Sequence, residues 1–358
     1  MSPKIRNRIK KLLGGLGGKD IDGIIISQPE NRFYLSGFNG SAGFLIITQN
    51  RRILATDSRY TVQAKAQAPD YEIFTLTSDI GGWFPKLAAG LNINRLGVEG
   101  ENLTLSLYQR LCDILSKGKS GLKLVPVAGI VESLRAVKEA GEIELISQAA
   151  EIADAAMGYI RDKLKPGMTE REAAWETEKF MREKGSQPLP FDIIVASGPN
   201  SALPHAQPSA RAISEGEPIV IDIGARVEGY ASDLSRTVCL GAPDDTFKKV
   251  YDTVLGSQLG ATALIRPGMS GGEADQIART IIEEGGYGEA FGHGLGHGVG
   301  LDVHEAPRLG PNAAEKLADG MVFTIEPGIY IEGWGGVRIE DLVVMEEGKI
   351  KEISKAKK

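Results

Sequence analysis

Gly216-Glu217-Pro218-Ile219-Val220-Ile221-Asp222-Ile223-Gly224 returns further along the chain as Gly320-Met321-Val322-Phe323-Thr324-Ile325-Glu326-Pro327-Gly328. Each copy opens on glycine, runs through β-favouring residues and sets a carboxylate just before a closing glycine. Other segments recur in the same order. Leu164-Lys165-Pro166-Gly167-Met168-Thr169 matches Ile265-Arg266-Pro267-Gly268-Met269-Ser270, and His205-Ala206-Gln207-Pro208 echoes His304-Glu305-Ala306-Pro307. Each Pro-Gly-Met copy ends one helix, and its Thr or Ser caps the next. Two copies are too few for a solenoid, which needs about three units. They predict two α+β halves facing each other across a pseudo-two-fold axis, with any shared site at the seam.

Ile219 to Gly224 and Ala231 to Val238 are β-patterned runs joined by a turn at Glu228-Gly229, a hairpin that brings Asp222 near Asp233. Met321 to Ile329 and Val337 to Val344 flank Gly333-Trp334-Gly335-Gly336 in the same way and fold Glu326 toward Glu340. A single carboxylate on a strand is ordinarily solvated or ion-paired, and burying it without a partner is costly. Four in matched hairpins point to cations. Converging carboxylates repel, whereas two divalent ions would offset about four negative charges.

All four histidines, His205, His293, His297 and His304, fall in this region. Glycine at alternate positions from Gly292 to Gly300 opposes a helix, so His293 and His297 do not read as a zinc-binding helix pair. Extended chain is expected, with residues 293, 295 and 297 on one side. The glycines lack the strand-to-helix setting of a phosphate cradle. Oxygen-rich ligands with one imidazole and no thiolate suit Mn, Co, Fe or Zn at a catalytic site. Two such ions can share a water, lower its pKa and present hydroxide to a carbonyl.

The bulk properties restrict the remaining choices. With 358 residues, 42% hydrophobic and 25% charged, the chain has apolar material for about two globular domains. Its net charge is only -6 and its basic residues are dispersed, so neither nucleic acid nor an anionic membrane is expected as a partner. No stretch nears the roughly 20 apolar residues of a membrane span. Cys112 and Cys239 lie far apart in apolar patterns, and are expected as buried thiols of a cytoplasmic protein. Ile5, Ile9, Leu12, Leu13 and Leu16 predict an amphipathic first helix stopped by glycine. Strand-like Gly23 to Ser27, Phe44 to Thr48 and Arg52 to Thr56 then alternate with helical Ser58 to Ala68 and Leu105 to Ser116. This predicts a smaller α/β domain over residues 1–130, ahead of a domain over 131–358. One long helix is expected from about Ser133 toward Leu164.

Taken together, these motifs closely resemble the metallopeptidases of the pita-bread fold, in the aminopeptidase P and prolidase branch. The resemblance is carried by Ile221-Asp222-Ile223-Gly224 with Asp233, by Gly296-His297-Gly298-Val299-Gly300 and by Val303-His304-Glu305-Ala306-Pro307. Thr324-Ile325-Glu326-Pro327-Gly328 and Val337-Arg338-Ile339-Glu340-Asp341 complete it. It implies that Asp222 chelates one ion, that His297 and Glu326 hold the other, and that Asp233 and Glu340 bridge them. Glu326 would also act as general base and then acid. His304 would stabilise the oxyanion, and His205 and His293 would hydrogen-bond the substrate. Arg338 would orient the carboxylates, with Phe191 beside it near the substrate.

Asn31 to Gly43 and Thr56-Asp57-Ser58-Arg59-Tyr60 resemble the smaller creatinase-like domain of the same branch, which implies a homodimer. The activity implied is that of a manganese-dependent Xaa-Pro aminopeptidase acting on peptides with proline second, through a hydroxide bridging two ions. An Xaa-Pro dipeptidase is the alternative. From a different class, a metal-free binding protein of this fold is the competitor, and it would be favoured by a missing ligand; none is missing.

Overall fold

The structure, a computed structural model, describes residues 3–77 and 79–358. The chain divides into two compact units, Met1–Arg135 and Ala136–Lys358.

The first unit opens with α1 (Pro3–Leu16), which buries Ile9, Leu12 and Leu16 on one stripe and runs through Gly14-Gly15 before it ends. Six strands follow: β1 (Gly23–Ile26), β2 (Phe44–Thr48), β3 (Arg52–Asp57), β4 (Glu72–Leu76), β5 (Arg95–Glu99) and β6 (Lys123–Val127). They form one mixed sheet in the order β4-β3-β2-β1-β5-β6. Between them lie α2 (Pro29–Ser36), α3 (Thr61–Gln67), α4 (Ile80–Ala89) and α5 (Leu105–Lys117). Trp83, Phe84 and Leu87 of α4 and Leu111 and Leu115 of α5 pack on Ile25, Ile46 and Ile53 of the sheet. The apolar face of each element is thereby removed from water, the main favourable term in folding.

The single long helix expected from Ser133 is instead two. α6 (Ile130–Ala136) stops before α7 (Ala140–Lys163) because the residues between them are recruited elsewhere. Val137 bridges Met321, and the Lys138 N–H donates to the Gly320 carbonyl at 2.8 Å. Glu139 then caps α7 in a reciprocal pair with Glu142. α6 thus closes the first unit, where the sequence suggested that it would open the second.

The second unit is built twice over. α7, a Pro166-Gly167 turn and α8 (Glu170–Glu183) are matched by α9 (Asp245–Leu264), a Pro267-Gly268 turn and α10 (Gly271–Glu284). Gly167 and Gly268 have φ of 87° and 85°, a left-handed conformation that glycine adopts without steric cost. Thr169 with Glu172, and Ser270 with Glu273, form equivalent capping boxes. The first half carries β7 (Ile194–Ser197), β8 (Pro218–Ile223), β9 (Arg226–Val227), β10 (Tyr230–Ala231) and β11 (Leu234–Cys239). The second carries β12 (Gly296–Gly298), β13 (Glu305–Leu309), β14 (Val322–Ile325), β15 (Gly328–Ile331), β16 (Gly335–Arg338), β17 (Asp341–Glu346) and β18 (Lys349–Glu352). Sheets of order β11-β8-β7 and β13-β12-β14-β17-β18 pack against α7–α8 and α9–α10 respectively.

Cys112 and Cys239 are free thiols but half-buried, not sealed in the core as expected. Among the described residues, no helix is long and apolar enough to cross a membrane.

Candidate metal centre

Strand register sets the carboxylates. β8 and β11 pair with Asp222 opposite Ser235, and the same register continues through the β9–β10 ribbon, placing Asp233 opposite Gly224. Asp222 and Asp233 are therefore diagonal neighbours on one face. In the second hairpin the β14–β17 ladder ends at Ile325 and Asp341, and β15–β16 resumes at Gly328 and Arg338 without a shift. Glu326 and Glu340 sit in the gap, facing one another. The two hairpins meet along β11 and β16. There the Glu340 N–H donates to the Ser235 carbonyl at 3.1 Å, and the Arg338 N–H donates to Thr237 Oγ1 at 2.9 Å.

The histidine loop departs from the expected strand. Only Gly296–Gly298 is extended, and Leu295 is drawn into the core with Phe323 and Ile325 instead of facing the same side as His293 and His297. The glycines flanking His297 are demanded by crowding. A Cβ at Gly296 would lie 2.2 Å from the Thr324 carbonyl oxygen, and one at Gly298 would lie 2.1 Å from that of Ala306. His297 Nδ1 lies 3.2 Å from the Gly298 carbonyl, which can only accept, so this nitrogen carries the proton. Nε2 is left facing Glu326 Oε1 at 3.3 Å and Asp233 Oδ2 at 3.7 Å.

One cavity of about 500 Å³ gathers every residue the sequence nominated: Asp222, Asp233, His297, Glu326 and Glu340, with His205, His293, His304, Phe191 and Arg338. Ligand atoms of Asp233, His297 and Glu340 lie within 4.8 Å of one another. His304 stacks edge-on to His297 with ring centroids 4.2 Å apart. Phe191 packs so closely on Gly224 that a Cβ there would come 2.6 Å from its ring.

The electrostatics are uneven. Burial, then Glu340, Asp222 and Glu326, pushes Asp233 well above the usual carboxylate range. Burial and the charges of Glu326 and Asp222 do the same to Glu340. Glu326 goes the other way: burial opposes its ionisation, but the hydrogen bond and charge of His297 hold it at about 2. Burial lowers His293, and burial with the neighbouring His297 lowers His304, so both imidazoles favour the neutral form.

Behind the carboxylates runs a chain of hydrogen bonds. Arg338 donates to Asp222 Oδ2 at 2.6 Å, to Ser235 Oγ at 2.9 Å and to the Tyr330 hydroxyl oxygen at 2.9 Å. Tyr330 reaches His293 Nε2 at 2.9 Å, and His293 Nδ1 bonds the Gly294 carbonyl at 2.8 Å. Both ring nitrogens of His293 are thus engaged within the protein, so in this arrangement the ring is a link in the chain and offers no free nitrogen to a substrate. Sequence reasoning missed Tyr330, as it missed Thr324, whose hydroxyl donates to Glu326 Oε1 at 3.1 Å and accepts the His297 N–H at 3.1 Å. It also missed Arg308, the cross-strand partner of His297, which lines the same cavity.

Comparison with known proteins decides the family. Residues 144–347 match the model of metallopeptidase family M24, and residues 8–137 match the creatinase/prolidase N-terminal domain. The chain belongs to metallopeptidase family M24. It is similar to the Xaa-Pro dipeptidase of Pyrococcus furiosus, 36% identical over 99% of both chains. Among solved structures it is similar to an Xaa-Pro dipeptidase from Bacillus anthracis (TM-score 0.94, 41% identity, covering 99% of this chain and 98% of that one). An X-Pro aminopeptidase from Thermotoga maritima is also similar (TM-score 0.86, 40% identity, 97% of each chain).

This M24 chain is a peptidase, and its donors suit the divalent metals of the family. Asp222 Oδ1 is buried without a hydrogen-bond partner in the protein, which leaves a lone pair that a cation would satisfy. Burial, and after it the neighbouring carboxylates, raises Asp233 and Glu340 well above the usual carboxylate range, a shift that a positive ion would relieve. His297 turns Nε2, the nitrogen a metal would take in place of a proton, toward the same place.

Proposed function

We propose that this M24 peptidase hydrolyses the Xaa-Pro bond of dipeptides, with two divalent ions held by Asp222, Asp233, His297, Glu326 and Glu340. The observation that carries the reading is the convergence of these five side chains on one cavity. When bound, such ions lower the pKa of a water and polarise a carbonyl, and manganese suits the oxygen-rich set. Glu326, ionised and facing the cavity, takes the proton from the attacking water and returns it to the proline nitrogen as that amine leaves. His304, neutral and exposed beside His297, donates an N–H to the developing oxyanion. His205 stands at the exposed rim, where it can bond the substrate backbone. Proline bonds need such machinery because proline has a fixed φ and no N–H. Phe191, Ile194, Pro204 and Leu309 supply apolar wall for its ring.

Arg308 places the dipeptide first, although the sequence motifs leaned toward longer substrates. As the cross-strand partner of His297 it projects from the same face of the ladder, an exposed cation able to pair with the carboxylate that only a dipeptide presents there. An aminopeptidase acting on longer peptides is the second reading, supported by the likeness to the Thermotoga enzyme. The two separate in one experiment with Mn(II) supplied, following Ala-Pro and Ala-Pro-Pro by mass spectrometry. Ala-Pro should be cleaved and Ala-Pro-Pro spared. Arg308→Met should raise KM for Ala-Pro about tenfold or more, the worth of a charge-assisted hydrogen bond. Cleavage of Ala-Pro-Pro at an equal rate, with Arg308→Met indifferent, would establish the aminopeptidase.

A further inference from the structure

Helix α10 turns two charged residues, one helical turn apart, toward the histidine loop. Asp275 is 2% exposed and pairs with Arg279 at 2.9 Å. Each also grips the loop. Asp275 Oδ1 accepts the Leu295 N–H at 2.9 Å. Arg279 donates to the Phe291 carbonyl at 2.9 Å and to the His293 carbonyl at 2.8 Å, with its guanidinium 4.3 Å above the Phe291 ring. The backbone is therefore held on both sides of His293. Leu295 passes the hold onward, because its carbonyl accepts the Glu326 N–H at 2.8 Å.

Stability alone is a poor reason for such a pair, since desolvating two charges can offset their attraction and apolar replacements are often as stable. The internal repeat offers a comparison. Ala173 of α8 corresponds to Ala274 of α10, which places Ala174 and Glu178 where Asp275 and Arg279 stand. The first half lacks the clamp, and it also lacks a histidine loop to hold.

We infer that Asp275 and Arg279 are positioning residues for the peptidase site, setting the backbone around His293 and the seat of Glu326. The clamp reaches both hairpins: His293 closes the chain through Tyr330 and Arg338 to Asp222, while Leu295 leads directly to Glu326. The kinetic part of this inference rests on the proposed function. The histidine-ring part does not, because it is read in metal-free protein.

The test compares Arg279→Met and Arg279→Lys with Met157→Ala, a destabilising change in the fully buried core of the first half. For each variant kcat and KM on Ala-Pro with Mn(II), the Tm, and the ring 15N–1H spectrum of the metal-free protein are measured; four histidines keep that spectrum tractable. Arg279→Met should lower kcat roughly ten- to a hundredfold, as about 1 Å of misplacement does, with a smaller change in KM and displaced His293 signals. Arg279→Lys keeps a charge beside Asp275 but cannot bond two carbonyls as a planar fork does, so it should recover Tm while kcat stays low. Unmoved His293 signals in Arg279→Met overturn the inference. So does a Met157→Ala variant of equal Tm with an equal fall in kcat. If the wild type fails to cleave Xaa-Pro peptides and the His293 signals still move in Arg279→Met, the functional reading falls and the clamp stands.

Discussion

The Tyr330 hydroxyl is shared by Arg338 and His293, so a single atom joins the residue that pairs with Asp222 to the loop that carries His297. Tyr330→Phe removes it and keeps the ring. Arg338 retains the Pro204 carbonyl at 3.3 Å, but His293 Nε2 loses its donor. A buried acceptor left unpaired costs about 1–3 kcal/mol, so urea unfolding should show a loss in that range. kcat on Ala-Pro should fall with it, and a variant with wild-type kcat would remove the chain from any account of how Asp222 is held. Tyr330 also marks where residue-level reading of the sequence fails. Asp222, Asp233, Glu326 and Glu340 were legible because charge in an apolar strand needs a reason. A strand tyrosine needs none, and only neighbours distant in sequence give it a role. Arg308 was hidden in the same way, since nothing local pairs it with His297.

Elements whose determinants are local were legible, and those shaped by distant contacts were not. The capping boxes at Thr169–Glu172 and Ser270–Glu273 need only four consecutive residues, and both formed. The break between α6 and α7 depends on Met321 and Gly320, far along the chain, and the bend that sends Leu295 inward depends on Asp275. The second capping box gives a pH-dependent prediction. Glu273 accepts from the Ser270 N–H, the Ser270 hydroxyl and Lys316, which together hold its carboxyl at about 2 against an ordinary 4.5, the backbone bond counting most. The folded state favours the charged form, so the stabilisation is fully present above 4.5 and is lost as the pH falls through about 2. Glu273→Gln should therefore lower Tm at neutral pH, with the gap to wild type narrowing as the pH drops below 4.5. Paired melting curves across that range check it; a gap that does not vary with pH would mean that the carboxylate charge plays no part in the cap.

At the scale of the molecule, the duplicated half creates the site and also its electrostatic cost. The repeat was visible in the sequence because the Pro-Gly turns, the caps and the closing glycines of the hairpins keep their order in both copies. What it could not display was the balance of charge once the hairpins meet. Two pairs of carboxylates converge, Arg338 forms its ion pair with Asp222, and burial with the neighbouring carboxylates raises Asp233 and Glu340 well above the usual carboxylate range. A molecule so arranged should be stabilised by the ions it binds, by about 2.7 kcal/mol for each ion when free metal reaches a hundred times that site's Kd. EDTA should lower the Tm of the wild type, and added Mn(II) should restore it in a concentration-dependent way. Asp233→Asn should behave in two opposite senses. It should abolish the manganese increment by removing a ligand, yet melt higher than wild type in EDTA, because asparagine is neutral without taking up the proton that burial and the neighbouring carboxylates favour on Asp233. Differential scanning fluorimetry of both proteins in EDTA and in Mn(II) gives the four values needed. If the wild type melts at the same temperature in both, the carboxylates are not holding ions, and a metal-free binding protein of the same fold becomes the better account of the whole chain.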